Sequence, residues 1–498
     1  MMKKALLAIL AGLTILASAP GPAAVPAAAG GDLSCYTIVV GKAASADGAV
    51  IVAHNEDDSG AILVNLRKIK ARDYGAPQTI DLGRGAKYAA GARTAGFLWI
   101  EATTQEFADS FVNEYGVLVT SDSCPSREAK SDVTDGGIGY MLRRLLAEGA
   151  KSAREAVALA GTLVETYGYT GSGRTYTIAD KNEAWMMAVV RGRHWCAERI
   201  PDDEVAVIPN HYTIRAVDLA DGSRFLGSRD LVAYAKASGW YDEGKEGAFD
   251  FKRAFGRPGR PDLVTDGNTL RHWRGLSLLT GKTWAIGDAY PFSFKPEKKV
   301  PAASLMALLR DHYEGTPYDA TDGYKTGTPN RTKFRTICTA STINSFVASL
   351  RADAPEPLAA SLWIAVAKPD TTLYLPLYYG VAGLPPGAGL GPDDHDYARL
   401  YKEHFEDAAL KARKDQLLHT KVLAVQTSAE ADYARMRGRI DGLLGSFEHE
   451  LVANRAKLES DISALYGRDK EEAVRRLTAY VMDAFGKASG LYDQLLRK

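Results

Sequence analysis

The 498-residue sequence has few cysteines, no excess of either charge and no long apolar run after residue 17. Its four cysteines are too few for a disulfide scaffold, and they allow at most one disulfide if Cys35 is a free thiol: Cys35, Cys124, Cys196 and Cys338. The 61 basic and 61 acidic residues cancel, so no global field favours nucleic acid or anionic lipid. We therefore predict neither nucleic-acid binding nor stable membrane insertion.

Several familiar hydrolase motifs are also absent. His449-Glu450 does not begin a zincin motif, because Ala453 occupies the position of the second histidine. The sequence also contains no Gly-x-Ser-x-Gly nucleophile elbow. The segment from Gly275 to Gly281 has one residue too many for a phosphate loop, and we predict a helix end followed by a turn there. The nine histidines show no metal-ligand spacing. The sequence therefore predicts no metal and no organic cofactor.

The N-terminal segment has the pattern of a secretory signal peptide. Lys3 and Lys4 precede the uncharged run Ala5–Ala17, which is too short to span a membrane. The best cleavage site follows Ala29, so we predict a signal peptide at 1–29, a propeptide at 30–34 and a periplasmic or secreted protein. Cleavage after Ala19 also fits, but a proline would follow the cut.

Cys35 becomes the first residue of the mature chain if the propeptide is removed. An N-terminal cysteine combines a thiol nucleophile with a free α-amine of pKa near 8 that can take its proton. Lipidation of Cys35 is a weaker alternative, because Asp32 stands where a lipoprotein signal prefers an aliphatic residue. A buried cysteine in an edge strand is the ordinary alternative. These features predict an amide hydrolase with an N-terminal nucleophile.

A hairpin is predicted at the start of the mature chain. Tyr36–Val40 and Ala49–Ala53 are rich in β-branched residues and flank a loop with Asp47-Gly48. If the whole of 41–48 is loop, Cys35 lies opposite His54; a tighter turn would move it towards Gly60. His54 and Asp57 would point to opposite faces of a flat strand, so the strand must bend or end near Asn55 if both serve one site.

The remaining elements favour an α+β fold, with antiparallel sheets and helices packed on them. Further strands are predicted at 97–103, 117–120, 176–179, 185–190, 205–209, 361–366 and 372–377, and helices at 141–148, 153–167 and 302–312. From about Asp396 charged residues dominate, with apolar residues at helical spacing. We predict a hydrolase domain at 35–395 and a helical C-terminal region at 396–498.

Six segments together carry a specific resemblance. They begin with the Cys35–Asp57 stretch CYTIVVGKAASADGAVIVAHNED, and continue with NEYGV, YTIADKNEAW, RIPDDEVAVIPNHYTI, LRDHYEGTPYDATDGY and GTPNR. In these segments the chain resembles the cysteine dipeptidases among the N-terminal-nucleophile hydrolases, relatives of bile-salt (choloylglycine) hydrolases and penicillin V acylases. The resemblance implies a four-layer αββα sandwich with a helical C-terminal extension.

The resemblance also implies the catalytic roles. Cys35 would be the nucleophile, Asp57 the carboxylate that holds its α-amine and thiol, and Asn113 and Asn210 donors of an oxyanion hole. His54 stands where relatives often carry arginine; when protonated it could lower the thiol pKa, or it could relay a proton. As ordinary alternatives, Asn113 is a turn residue and Asn210 a strand-end cap.

The implied reaction is hydrolysis of a short peptide's amide bond through a Cys35 thioester. The expected partner is a small-molecule substrate, a dipeptide or short peptide, and formation of a homo-oligomer is left open. Two alternatives keep the fold. One is an amidase or acylase for N-acyl amino acids or penicillin-type amides, and the other is an inactive binding protein.

Overall fold

Two antiparallel sheets dominate the computed structural model, which describes residues 35–58, 62–258, 266–287, 289–330 and 333–497. The strands are β1 Tyr36–Val40, β2 Val50–Asp57, β3 Val64–Ile69, β4 Arg72–Asp73, β5 Gln78–Asp81, β6 Lys87–Ala90, β7 Arg93–Thr94, β8 Phe97–Ala102, β9 Ser110–Asn113, β10 Leu118–Ser123, β11 Arg174–Ala179, β12 Ala184–Val189, β13 Trp195–Ile200, β14 Val205–Ile208, β15 Phe225–Gly227, β16 Thr342–Leu350, β17 Ala360–Ala365 and β18 Leu375–Tyr378. The predicted signal peptide (1–29) and propeptide (30–34) lie outside the described residues.

The described helices fall between and after the strands that build the sheets. They are α1 Met141–Gly149, α2 Ala153–Tyr167, α3 Leu231–Ala237, α4 Glu243–Glu246, α5 Phe251–Phe255, α6 Gly267–Thr280, α7 Ala302–Leu308, α8 Tyr397–Phe405, α9 Ala408–Lys411, α10 Leu418–Ala431, α11 Tyr433–Ile440, α12 Ser446–Tyr466 and α13 Lys470–Leu496. A single π-helical turn, Asp441–Gly445, joins α11 to α12.

The sheets have six and eight strands. The order is β14-β1-β2-β16-β17-β18 in the first and β15-β13-β12-β11-β10-β9-β8-β3 in the second, and β4 with β7 and β5 with β6 form two small ribbons. One buried apolar cluster fills the space between the two sheets and extends under the C-terminal helices. A second lies between the eight-stranded sheet and α1 and α2. This arrangement confirms the predicted four-layer αββα sandwich.

Local sequence explains where the outer helices begin and end. The Ser152 hydroxyl accepts a hydrogen bond from the Glu155 amide at the start of α2, which satisfies a backbone donor that has no partner within the helix. Asp469 caps α13 in the same way. Helix α6 ends at Thr280, and Gly281 follows with a φ of +64°, the left-handed conformation of a C-terminal cap. The helix end predicted in place of a phosphate loop is therefore confirmed.

The β1–β2 hairpin forms, but its register differs from both predicted registers. Tyr36 pairs with Asn55 and Thr37 with His54, which brings Cys35 to the level of Glu56. Strand β2 starts only at Val50, because part of the connecting loop is bound elsewhere through a bridge between Ser45 and Val300. Strand β2 does not end near Asn55 but continues to Asp57, and its pairing with β16 shifts register between Thr342 and Asn344, opposite Asp57 and Glu56.

The C-terminal helices continue the core of the sandwich. Leu477, Val481 and Phe485 of α13 belong to the same buried cluster as the six-stranded sheet, and α12 and α13 contact β18. In the described part of the chain, no helix is both long and apolar enough to cross a membrane. All four cysteines are free thiols and all are buried.

Candidate active site

Cys35 immediately precedes β1, the second strand of the six-stranded sheet. Side chains alternate along β1, so Cys35 and Thr37 share one face. The Thr37 hydroxyl donates to Asp122 Oδ2 on β10 at 2.7 Å, so this face is directed towards the eight-stranded sheet. The Cys35 side chain is 0% exposed. The predicted nucleophile is therefore held between the two sheets.

The Cys35 thiol forms a hydrogen bond with a neighbouring carboxyl group. Cys35 Sγ donates to Glu56 Oε1 at 2.9 Å, and Glu56 Oε2 lies 3.1 Å from His54 Nε2. His54 and Glu56 are two residues apart on β2, so both side chains point to the face that Cys35 occupies. His54 thus contacts the thiol only through Glu56.

The far side of the histidine links its tautomer to the charge of Asp122. Thr37 Oγ lies 2.7 Å from His54 Nδ1 and 2.7 Å from Asp122 Oδ2. When Asp122 is ionised, the hydroxyl donates its single proton to that carboxylate and can only accept from His54, which places a proton on Nδ1. In neutral His54 the lone pair of Nε2 then faces Glu56, and the Glu56 carboxyl donates to it when protonated.

Burial controls the protonation of this network. It raises the pKa of Glu56 to about 7 and that of Asp122 to about 7, and it lowers the pKa of His54 to about 4. Burial, with the negative charge of Glu56, also raises the pKa of the Cys35 thiol well above its usual range. Near neutral pH the thiol is therefore protonated and His54 is uncharged.

Asp57 belongs to the other face of β2. Its carboxylate accepts a hydrogen bond from the Thr342 hydroxyl at 2.6 Å and an ion-pair hydrogen bond from Arg335 at 3.0 Å. Burial raises its pKa, and the two positive charges of Arg335 and Arg271 oppose that shift. Asp57 is thus next to the nucleophile in the sheet, but its carboxylate is held by residues of a later part of the chain.

Arg271 on α6 connects the nucleophile to Asn210. Its guanidinium donates to the Cys35 carbonyl at 3.0 Å and to Asn210 Oδ1 at 2.7 Å. Because the amide oxygen is held in this way, the orientation of the Asn210 side chain is fixed. Asn210 Nδ2 is buried and has no hydrogen-bond partner among the residues that the structure describes. A fixed, unused donor that shares Arg271 with the Cys35 backbone is a candidate for binding an oxyanion.

Helix α6 approaches β1 closely enough to support this arrangement. The Tyr36 hydroxyl donates to the Arg271 carbonyl at 3.2 Å. At Gly275, one turn further along, a Cβ atom would lie 2.1 Å from that same hydroxyl oxygen. Only glycine permits this contact, so Gly275 keeps α6 near enough for Arg271 to reach Cys35.

Asn113 is not brought to the site. Its amide donates to the carbonyls of Ala147 and Ala150 at the end of α1, and its oxygen accepts from the amides of Tyr115 and Val117. These contacts place it on the outer, helix-covered face of the eight-stranded sheet. The structure therefore corrects the oxyanion role predicted for Asn113, which instead closes a turn and anchors a helix.

The sequence did not predict a role for four residues that form hydrogen bonds around Cys35 and His54: Thr37, Glu56, Asp122 and Arg271. Glu56 could have been found, because alternation along β2 puts it on the same face as His54. Asp122 and Arg271 come from distant strands and helices, and no local pattern marks them.

Two groups of side chains have ligand atoms within 4.8 Å of one another: Cys35 with His54 and Glu56, and His312 with Cys338 and Asp370. In the first group the atoms are already hydrogen-bonded to each other. In the second, Asp370 accepts hydrogen bonds from Tyr433 and Asn330. In both places, protein groups therefore already engage some of the ligand atoms.

Comparisons with known proteins agree with the predicted resemblance. The profile of the family described as Peptidase family C69 matches residues 108–422. A "Probable dipeptidase" of Salmonella dublin is 28% identical over 386 residues, which cover 72% of this chain and 84% of that protein. "Probable dipeptidase A" of Streptococcus pyogenes serotype M1 is 27% identical over 487 residues, covering 93% and 95%.

Among solved structures, the chain has a distant likeness to penicillin V acylase from Agrobacterium tumefaciens. The TM-score is 0.30 and the identity 12%, and the match covers 64% of this chain and 84% of that one.

Proposed function

The chain belongs to peptidase family C69, and from this premise we propose that it is a dipeptidase that acts through a thioester on Cys35. The observation that carries the proposal is the pair of groups held by Arg271. One is the backbone of Cys35, and the other is Asn210, whose amide nitrogen is free to donate.

The proposed reaction has two steps. In the first, the α-amine of mature Cys35 takes the thiol proton while Sγ forms a bond to the substrate carbonyl carbon. Asn210 Nδ2 donates to the developing oxyanion, and the protonated α-amine then gives its proton to the leaving amine as the C–N bond breaks. In the second, water adds to the thioester carbonyl while the α-amine takes one of its protons. The C–S bond then breaks, the α-ammonium returns that proton to sulfur, and the carboxylic acid product leaves.

The thiol of Cys35 is protonated near neutral pH, so the proposed reaction needs a base. Burial and Glu56 hold the thiol in its neutral form, so a nearby group must remove the proton before attack. A free α-amine at Cys35 exists only if the chain is cleaved between Ser34 and Cys35. We therefore propose removal of the leader and of residues 30–34, with the mature protein outside the cytoplasm.

The proposal is tested by identifying the first residue of the active protein. Intact-mass measurement and N-terminal sequencing should show that active enzyme starts at Cys35, and Cys35→Ala should be inactive. If cleavage is autocatalytic, that variant should also retain part of residues 30–34. Cys196→Ala removes another buried thiol on β13 and is the matched control, which should remain processed and active. Full activity from a chain that still carries residues before Cys35 would refute the mechanism.

A substrate panel separates the dipeptidase from the acylase. Processed enzyme should hydrolyse dipeptides better than tripeptides or N-acyl amino acids. A clear preference for substrates without a free amine would favour the acylase instead, and no hydrolysis by correctly processed protein would favour a binding protein.

A further inference from the structure

Glu56 is a buried carboxyl group that forms no ion pair with a lysine or arginine among the described residues. In the described ranges its only ion-pair partner is His54, at 3.1 Å, and burial keeps that histidine neutral near pH 7. The nearest arginines, Arg143 and Arg174, act on Glu56 only through their charge, because both donate to other groups such as Ser121 Oγ. A buried carboxylate usually needs a hydrogen-bonded cation.

The α-ammonium group of the substrate can supply this cation. In a dipeptide the α-nitrogen lies roughly 2.5 Å from the carbonyl carbon that is attacked, by standard backbone dimensions. Attack brings that carbon to about 3–3.5 Å from Sγ. Glu56 Oε1 is itself 2.9 Å from Sγ, so an ammonium group on the Glu56 side of the thiol lies within hydrogen-bonding reach of the carboxylate.

We propose that Glu56 binds the free α-ammonium group of the substrate's first residue and thereby selects peptides with an unmodified N terminus. The inference rests on the proposed dipeptidase function and deepens it by assigning the group that recognises the amine. Both Sγ and Oε1 are buried, and whatever movement admits the carbonyl to Sγ also admits the attached ammonium to Oε1.

The histidine explains how an ionised Glu56 is tolerated once the ammonium is bound. With its Nδ1 proton held by Thr37, His54 presents a lone pair to Glu56 Oε2. When the ammonium binds at Oε1, the Glu56 proton can pass to His54 Nε2, which leaves a carboxylate between two cationic donors. Asp122 lies beyond Thr37, and its negative charge favours the protonated histidine.

The test uses processed enzyme and two substrates that differ only in the amine, alanyl-alanine and propionyl-alanine. Wild-type kcat/KM should favour alanyl-alanine by about 100-fold or more, because a site built to bind a polar group rejects the analogue that lacks it. Glu56→Gln should abolish this preference by lowering kcat/KM for alanyl-alanine about 100-fold more than that for propionyl-alanine. Gln can still accept from the thiol and donate to His54, so the network is preserved.

Glu198→Gln is the matched control. Glu198 is also buried, with a pKa raised to about 7, but it lies on β13 and is bound by Arg224. This variant should keep the wild-type preference. Equal loss for both substrates in Glu56→Gln would overturn the inference and assign Glu56 to the thiol instead, and unchanged kinetics would overturn it as well.

Wild-type enzyme provides a second readout if Glu56→Gln does not mature. The preference for alanyl-alanine should fall as the pH is lowered through the titration of Glu56. A ratio near 1 at every pH would overturn the inference while leaving amide hydrolysis intact. No hydrolysis of either substrate by processed wild-type protein would overturn the proposed function and, with it, this inference.

Discussion

Asn113 ends β9 and Asn210 follows β14, and the structure uses their two amides in opposite ways. Every hydrogen-bonding position of Asn113 reported above is filled by backbone atoms of the α1 end and the following turn. Asn210 is held only through its oxygen, by Arg271, and its nitrogen is left unused among the described residues. The comparison teaches that an asparagine at a strand end becomes a candidate for chemistry when the protein fixes it without using its donors.

The strongest test of this comparison is Asn210→Ala. We expect kcat to fall about 10²–10³-fold, the usual effect of losing one oxyanion donor, with KM nearly unchanged. The free energy of unfolding should change little, because Arg271 keeps a second acceptor in Asn268 Oδ1 at 2.8 Å. Steady-state kinetics and urea unfolding measure both. An effect confined to KM would make Asn210 a substrate-binding residue and would break the comparison.

Asn113→Ala should lower the stability of the protein and leave its catalytic rate nearly unchanged. Two buried carbonyls at the end of α1 and two amides of the turn lose their partner, so the free energy of unfolding should fall by about 2–3 kcal/mol. The kcat of the folded fraction should stay within about 2-fold of wild type. Each asparagine variant is the control for the other. Loss of activity at unchanged stability would return Asn113 to the oxyanion hole.

The smallest expected effect concerns the contribution of Glu56 to the pH dependence of stability. The pKa of Glu56 is raised by burial from 4.5 to about 7, so the folded protein holds this proton at a pH where the unfolded chain has lost it. The stabilisation is complete below about pH 4.5 and is lost as the pH rises towards 7. Glu56→Gln should therefore reduce the loss of stability between pH 5 and pH 8 by on the order of 1 kcal/mol.

Urea unfolding at the two pH values measures this difference. Asn113→Ala is again the contrast, because its amide does not titrate, and its stability should fall with pH as steeply as that of wild type. An equally steep loss in Glu56→Gln would show that the carboxyl is not protonated in the folded protein near neutral pH.

The sequence predicts the parts of this fold that depend on local pattern. The β1–β2 hairpin follows from its β-branched residues, and α2 from its helical periodicity and Ser152 cap. The register of the hairpin could not be predicted, because the bridge from Ser45 to Val300 lengthens the loop. Strand β16, the partner of β2, was missed because its pairing joins segments almost 300 residues apart, and no local signal specifies it.

The residues of the candidate site likewise divide into those that local sequence predicts and those that only tertiary packing brings together. Cys35 and His54 lie in one contiguous motif, and the structure brings them to one face. Arg271 and Asp122 reach the site only through the packing of α6 and of the second sheet. Asn113 lies in a motif that resembles one with a catalytic asparagine. Its role depends on which face of the sheet its side chain occupies, and the motif does not specify that face.

The contact between Arg271 and Cys35 has a consequence for the order in which the protein is made. The two residues are 236 positions apart, and the Arg335 and Thr342 partners of Asp57 are further still along the chain. A chain emerging from the ribosome presents its cysteine long before the residues that align it have been synthesised. Contacts of such separation form late in folding. Under the proposed mechanism, Cys35 therefore acquires its aligned environment only after the residues up to Thr342 have been made and folded.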